Sequence, residues 1–459
     1  MKLFPEDPVF EIGKVGFDDR DAQGRKSDLL DRKSLGQKLT DLVDRINQPL
    51  VIALDGGWGS GKSHFLKLWT GAHSKELGGQ AEVIYFDAFE HDYLDDPLVS
   101  LISRLIVQGE TKTWSAAALE KVKKTAFPLA RGLLRTGVAL VTAGISEATG
   151  PVVDAVIGKV GEVTEDQIGD FWKQETGRIA AMAQFKKALE ALTLPKADGD
   201  GLRKIVFIVD ELDRCRPDYA LSLLEIIKHF FAVPNVHFVL GVNLKALENS
   251  VKARYGSEID AGKYLQKFVM LTMSIPKGLI ANPDVNAAMS YFSEMAPMFI
   301  QSANLANSFA QCLSRPITHH GASLRDIQRL LTYLALFPKR FENLGLGYQT
   351  ILIGALYVKV LHPSGYLQLR AQSITLKQIA DYLSLEKPQN EDSFSAEYRD
   401  WAIWAFAIEG QNVLKATGFP THYAAEIPRA FGSYGHGFRW QTAQALIVEY
   451  LEGFTMPSS

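Results

Sequence analysis

Five short runs rich in aliphatic and aromatic residues stand out in the first part of the chain: LVIAL (50–54), EVIYFDA (82–88), KIVFIVDE (204–211), VHFVLGVN (236–243) and KFVMLTMSIP (267–276). They are strongly apolar, the pattern of strands covered on both faces, and helical periodicity fills much of the chain between them. Strands that alternate with helices in this way predict an α/β fold with a parallel sheet. Between the second and third runs lies an excursion of roughly a hundred residues, helical by pattern and closed by the turn-forming LPKADGDGLRK. The chain is therefore expected to have a core over 1–276 with a helical insertion at about 110–200. After Pro276 the β-rich runs largely stop. SLRDIQRLLTYLALF (323–337) and FRWQTAQALIVEYLEGF (438–454) instead space their apolar residues as helices do. They predict a helical lid-like subdomain over 277–345 and a helical C-terminal domain over 346–459, divided at the glycine-containing ENLGLGYQT. EKPQNEDS (386–393) reads as an exposed loop, and no repeat of solenoid period is visible.

Length and composition narrow this picture only modestly. A chain of 459 residues, 47% hydrophobic and 22% charged, is an ordinary globular protein of two or three domains. A net charge of -3 with a pI near 6.4 gives no global attraction to phosphate backbones or anionic membranes, so charge does not indicate a nucleic-acid partner, although a local basic patch stays open. The only cysteines, Cys215 and Cys312, exclude a disulfide framework and a cysteine zinc cage. The start MKLFPEDPVF lacks an apolar signal core, which predicts a cytoplasmic protein. The small-residue stretch Phe127–Gly158 holds an uncharged run only from Thr136 to Ser146, far short of the ~20 residues a membrane span needs. It reads as a packed or amphipathic helix, without transmembrane anchoring.

The chemistry begins at GGWGSGKS, Gly56 to Ser63, which fits G-x-x-x-x-G-K-[ST] between a buried strand and a helix. Glycines in such a loop let backbone N–H groups curl around a phosphate without a Cβ clash, and the following helix turns its positive end toward the anion. The expected nucleotide-binding residues are Gly56, Gly57, Trp58, Gly59, Ser60, Gly61, Lys62, Ser63 and His64. Lys62 is expected to bridge β- and γ-phosphate oxygens and the Ser63 hydroxyl to ligate Mg²⁺, making ATP and Mg²⁺ the cofactors. KIVFIVDELDRCRP supplies the acids: Asp210 ends the strand where a carboxylate can hold the metal, and Glu211 is placed to deprotonate the attacking water. The alternative is that Glu211 and Asp213 cap the helix DYALSLLEIIKHFF, or that Asp213 pairs with Arg214.

In these residues the chain resembles the KAP family of P-loop NTPases. GGWGSGKS with its tryptophan, FDAFEHDYLDDPLVSLI, DELDRCRP, VHFVLGVN, GKYLQKFVMLTMSIP and SLRDIQRLL fall in the family's order over roughly residues 25 to 340. The resemblance implies an additional-strand P-loop ATPase with Mg²⁺-dependent hydrolysis, in which the acid after the Walker B aspartate activates water. Two departures stand out. The family commonly has Asp-Asp where this chain has Asp210-Glu211, and often an aspartate where Asn243 ends the fourth strand. Asn243 could sense a γ-phosphate or simply satisfy a turn. Many family members insert transmembrane helices between the Walker A and Walker B parts, so this chain looks like a soluble member. Bacterial members are frequent in antiviral defence operons, including the ATPase subunit of Qat-type systems, and the resemblance implies that setting.

Several further residues could serve a nucleotide, a metal or a neighbouring subunit. Arg325 and Arg329 lie one helical turn apart, and Arg325 is expected to reach the nucleotide as a sensor. Arg214 and Arg254 are potential arginine fingers toward a neighbouring subunit. EHDYLDD (90–96) offers metal ligands without repeated spacing and suits helix capping better; His319 and His320 are adjacent and so do not chelate. Cys215 reads as a packed residue, and LLDRKSLGQKLTDLVDRI (29–46), with Asp31 and Arg32 at its turn, as a cover for the adenine. No hydrolase elbow, nuclease-like acid cluster or zinc finger is present in the sequence. The expected function is an ATP-driven switch or motor acting on a partner protein encoded nearby, such as a nuclease or nucleotide-modifying effector. The alternatives are a nucleotide-dependent scaffold with little turnover and an ATP-driven nucleic-acid remodeller. A homo-oligomer remains open.

Overall fold

The computed structural model describes residues 12–20, 24–94, 96–112, 114–126, 180, 182–194, 203–279, 285–300, 303–337, 339–386, 396–410, 412, 414, 426–432 and 440–453. The stretch Phe127–Gly158, most of the expected insertion and the loop 387–393 lie outside them.

Strands β1 (Leu50–Asp55), β2 (Glu82–Asp87), β3 (Ile205–Asp210), β4 (Val236–Val242) and β5 (Leu271–Ser274) form one parallel sheet in the order β2-β3-β4-β1-β5. β3 and β4 are buried at every position and run through the middle, which explains their unbroken apolar sequences. Pairing from Leu50↔His237 to Asp55↔Val242, and from Ile205↔Val236 to Asp210↔Gly241, aligns the C-terminal ends of β1, β4 and β3 on one rim. Ligands of open α/β sheets bind beyond such a rim. The apolar run KFVML misleads about β5, which starts at Leu271. Lys267 and Phe268 belong to a turn whose N–H groups donate to Tyr264 O (3.1 Å) and Leu265 O (2.9 Å), and Phe268 is apolar because its side chain is buried.

Alternate strand residues serve two layers. Ile52, Leu54, Val206, Ile208 and Val239 pack with Leu39, Phe65 and Trp69 of helices α1 (Lys33–Arg45) and α2 (Lys62–Lys75). Val51, Ala53, Phe207, Val209 and Phe238 face the other layer, which includes α3 (Pro97–Thr111), α4 (Ala116–Ala126), α5 (Pro217–Phe230) and α6 (Leu244–Tyr255). There Phe207 and Phe238 stack with ring centroids 4.9 Å apart.

Beyond the sheet the chain is helical: α7 (Ala287–Phe299), α8 (Ala303–His320), α9 (Leu324–Ala335), α10 (Leu346–Leu361) and later helices share a hydrophobic cluster that runs from Ala287 to Leu451. α10 is buried along Tyr348 and Thr350–Val358, as a helix apolar on nearly every side must be. Leu30, just ahead of α1, belongs to this cluster too. Among the described residues no helix is long and apolar enough to cross a membrane.

A buried histidine gives the fold a pH signature. His237 on β4 has 0% exposure, and burial, with Lys204 second, pushes its pKa from 6.5 down to about 4. Between these values the unfolded chain binds the proton that the folded chain refuses. Stability is therefore complete above pH 6.5 and declines toward pH 4, by up to about 3 kcal/mol. Urea unfolding of the wild type against His237→Leu should show a shallower acid decline in the variant; identical declines would exclude His237 as its source.

Candidate functional site

β1 ends at Asp55, and the next six residues, Gly56 to Gly61, fold into a loop that delivers the chain to α2 at Lys62. The Gly56 N–H donates to Val242 O (3.2 Å) and the Ser60 N–H to Gly57 O (3.2 Å). Gly59 and Gly61 turn the loop at φ of 74° and 83°, where a side chain is strained. Space forbids one as well. A Cβ on Gly59 would lie 2.7 Å from Ser323 Oγ and 3.1 Å from Arg325 Cβ, because the start of α9 is docked on the loop. The Leu324 N–H donates to Gly59 O at 2.9 Å, and Ser323 and Asp326 form the capping box that starts α9. Arg325 is thereby brought beside the loop, exposed, with no hydrogen bond or ion pair among the described residues.

The opposite flank is held by Arg32. Only 3% exposed, it donates to Ser60 O (2.8 Å) and Gly61 O (3.2 Å), and burial lowers its pKa to about 10 against the opposing charge of Asp28. The Asp28 carboxylate accepts from the N–H groups of Arg32 and Lys33, which sets the start of α1. Arg32 thus braces the loop carbonyls. His64 is hydrogen-bonded through Nε2 to Ser27 O (3.1 Å). Lys62 curls back, donating to Gly56 O (2.5 Å) and Gly57 O (3.2 Å); burial lowers its pKa while Asp213, Asp210 and Asp55 oppose the shift. Around Gly57 there is open space.

Across β4 sit the acids. Asp210 is 1% exposed; it accepts from Tyr85 Oη (2.6 Å), the Glu211 N–H (3.0 Å) and the Ser63 hydroxyl. Burial raises its pKa, and those hydrogen bonds pull the other way. Gly241, its neighbour on β4, makes the room: a Cβ there would meet Asp210 Oδ1 and Leu66 Cδ1 at 2.5 Å. Glu211 stands at φ 59°, a left-handed conformation rare outside glycine, and opens the 3₁₀ turn Leu212–Arg214. Burial raises its pKa and Arg214, in ion-pair contact at 2.7 Å, opposes this. Asn243 Oδ1 caps α6 by accepting from the Ala246 N–H (3.3 Å), and Asp55 Oδ1 accepts from the Leu244 N–H (2.9 Å). Asn243 therefore satisfies a helix start at the same rim.

The helix-capping reading of Asp213 gives way to a different contact. Its carboxylate accepts from Trp58 Nε1 at 2.6 Å, and Arg214 turns to Glu211 instead. The start of α5 is held by Asp92, which accepts from the Arg216 N–H (2.9 Å) and Nε (2.8 Å). Within EHDYLDD, Asp96 caps α3 through the Leu98 N–H (2.9 Å). Arg254 pairs with Asp218 at 3.3 Å, and Arg329 lies on the exposed face of α9. His320 contacts Asp381 O (2.9 Å) and Ser384 Oγ (3.1 Å). Cys215 is buried, which pushes its thiol pKa well up.

A model of the KAP family P-loop domain matches residues 32–337, from the Arg32 brace to the end of the segment that carries α9. The chain belongs to the KAP family. No curated protein matches this KAP chain. Among solved structures it is similar to the Aeropyrum pernix ORC2 protein, described as ADPNP-ADP complexes, at 12% identity over 90% of both chains with a TM-score of 0.31.

Two residues of this KAP domain, Tyr85 and Gly241, escape sequence reasoning, and for Arg32, singled out at the turn before α1, the contact with the loop does. Tyr85 is the one hydroxyl in an otherwise apolar run and shares a strand face with Asp87, a signal visible only once β2 is paired with β3. Gly241 interrupts VHFVLGVN, and a glycine inside a strand can mark a close approach. Arg32 sits at the N-cap of α1, where nothing local announces the contact with the loop.

Proposed function

We propose that this KAP chain binds ATP with Mg²⁺ at the Gly56–Ser63 loop, hydrolyses it with Glu211 as general base, and relays nucleotide state through its helical region to a partner protein. The observation that carries this reading is the bond from the Leu324 N–H to Gly59 O: the phosphate loop is joined directly to α9, whose Ile327, Leu330, Leu331 and Leu334 belong to the helical cluster.

The chain's own groups suit the ligands. Among the described residues Ser60 Oγ is buried without a hydrogen-bond partner, and nothing approaches the Cβ position of Gly57, which leaves room for an anion. Ser63 and Asp210 are hard oxygen donors in mutual contact, the kind of pair that holds Mg²⁺; the ion, when bound, supplies charge neutralisation. Lys62 would add a phosphate oxygen to the Gly56 and Gly57 carbonyls it already donates to. Glu211, raised by burial, would take the proton of the attacking water. Arg325 and Asn243 are assigned as phosphate sensors, from α9 and from the end of β4. Antiviral defence is the proposed setting, supported by the family resemblance, with a partner encoded beside this chain.

Mg²⁺-dependent ATP turnover by the whole chain tests the reading. Lys62→Ala is expected to abolish both ATP binding and turnover, and added DNA to leave the wild-type rate unchanged. Salt-sensitive stimulation by DNA would favour a nucleic-acid remodeller. Tight binding without turnover would favour the scaffold.

A further inference from the structure

Trp58, third residue of the loop GGWGSGKS, is 54% exposed, yet its indole N–H is committed to Asp213 at 2.6 Å. One residue on, Arg214 closes to 2.7 Å on Glu211. Asp213 and Arg214 ride on one unit, because the 3₁₀ turn Leu212–Arg214 is closed by the Arg214 N–H on Glu211 O (3.0 Å) and the Cys215 N–H on Leu212 O (3.3 Å). Two side-chain contacts therefore connect the phosphate loop to the carboxylate assigned as base.

Both contacts bear on the carboxylate that the proposed reaction uses as base. A carboxylate closed on a guanidinium has an oxygen engaged that would otherwise accept a proton from water. Lys62 rests on the carbonyls of Gly56 and Gly57, the residues before Trp58, and its ammonium, with three N–H donors, can take a phosphate oxygen beside them. Asp213, Asp210 and Asp55 are the carboxylates whose charge acts on Lys62. An anion bound at Lys62 offsets that cation's charge at Asp213 and sets negative charge near it. The Asp213 carboxylate is then repelled, the Trp58 bond weakens, and the turn that carries Asp213 also carries Arg214.

We propose that Arg214 is a positioning residue which, together with the Trp58–Asp213 hydrogen bond, holds Glu211 idle until a nucleoside triphosphate fills the loop. The proposal rests on the reading of Glu211 as base. It differs from a trans-acting arginine finger, since the partner of Arg214 is in its own chain.

The test uses the full-length chain and two readouts. In the first, Trp58 emission is taken as the difference between wild type and Trp58→Phe, without nucleotide and with Mg²⁺ plus a non-hydrolysable ATP analogue. The analogue is expected to change it, and an unchanged difference signal at saturating analogue overturns the link. In the second, Arg214→Gln is expected to raise kcat about three- to tenfold at unchanged KM, with Arg214→Lys returning it toward wild type. A kcat at or below wild type in Arg214→Gln, in protein that melts normally and binds the analogue, overturns the idling role. Glu211→Gln separates the two failures: if it turns over normally the base assignment itself is wrong, whereas an inactive Glu211→Gln alongside an unaccelerated Arg214→Gln removes only this proposal.

Discussion

Glu211→Gln is expected to cut ATP turnover by about a hundredfold or more while ATP still binds, the size of effect that loss of a positioned general base produces. Glutamine keeps the shape of the side chain and can still accept a hydrogen bond from Arg214, so the left-handed corner at φ 59° and the 3₁₀ turn should persist. Lys62, Ser63 and Asp210 are untouched, which is why affinity should survive when turnover does not. The variant should trap ATP and, if hydrolysis drives the partner, abolish the biological output. Single-turnover kinetics beside equilibrium binding checks this. A variant that retains more than about a tenth of wild-type turnover would remove Glu211 from the chemistry.

Arg32→Ala should have the largest effect on the integrity of the site. Its guanidinium is buried and donates to the carbonyls of Ser60 and Gly61, so truncation removes both bonds, leaves Gly61 O with the Phe65 N–H alone and opens a cavity between α1 and the loop. With hydrogen bonds from a charged donor contributing about 1.5–3 kcal/mol each, the loss should be about 3–5 kcal/mol. Over a domain of this size that lowers the thermal midpoint by about 5 °C. ATP affinity should fall with it, because the loop must hold its amides in place before the anion arrives. Arg32→Lys keeps the charge without the planar fork and should recover only part of the loss. A midpoint within about one degree of wild type, with normal ATP affinity, would show that the loop does not depend on this brace.

Much of this molecule is legible in one dimension because the relevant signals are local. Five apolar runs separated by helical periodicity specify a parallel α/β sheet, since a strand covered on both faces has no polar side to show. Ser323 and Asp326 stand three residues apart and announce the start of α9. GGWGSGKS carries its conformation in its glycines, and Asp210 and Glu211 follow a strand too apolar to lie anywhere but the core.

What the sequence by itself determined, then, is the kind of sheet, the phosphate loop and the acid pair. Tertiary structure alone decided what those groups touch. Trp58 finds Asp213 across 155 residues and Tyr85 finds Asp210 across 125. Arg32 reaches the carbonyls of Ser60 and Gly61, and the Leu324 N–H settles on Gly59 O, contacts that neither segment's own sequence specifies. The fifth strand loses its first residues to a turn for the same reason: apolarity specifies burial, and only packing decides which element is buried. Hydrogen-bond partners distant in sequence are chosen by strand order and register, and these are set when the whole sheet closes on its two helical layers.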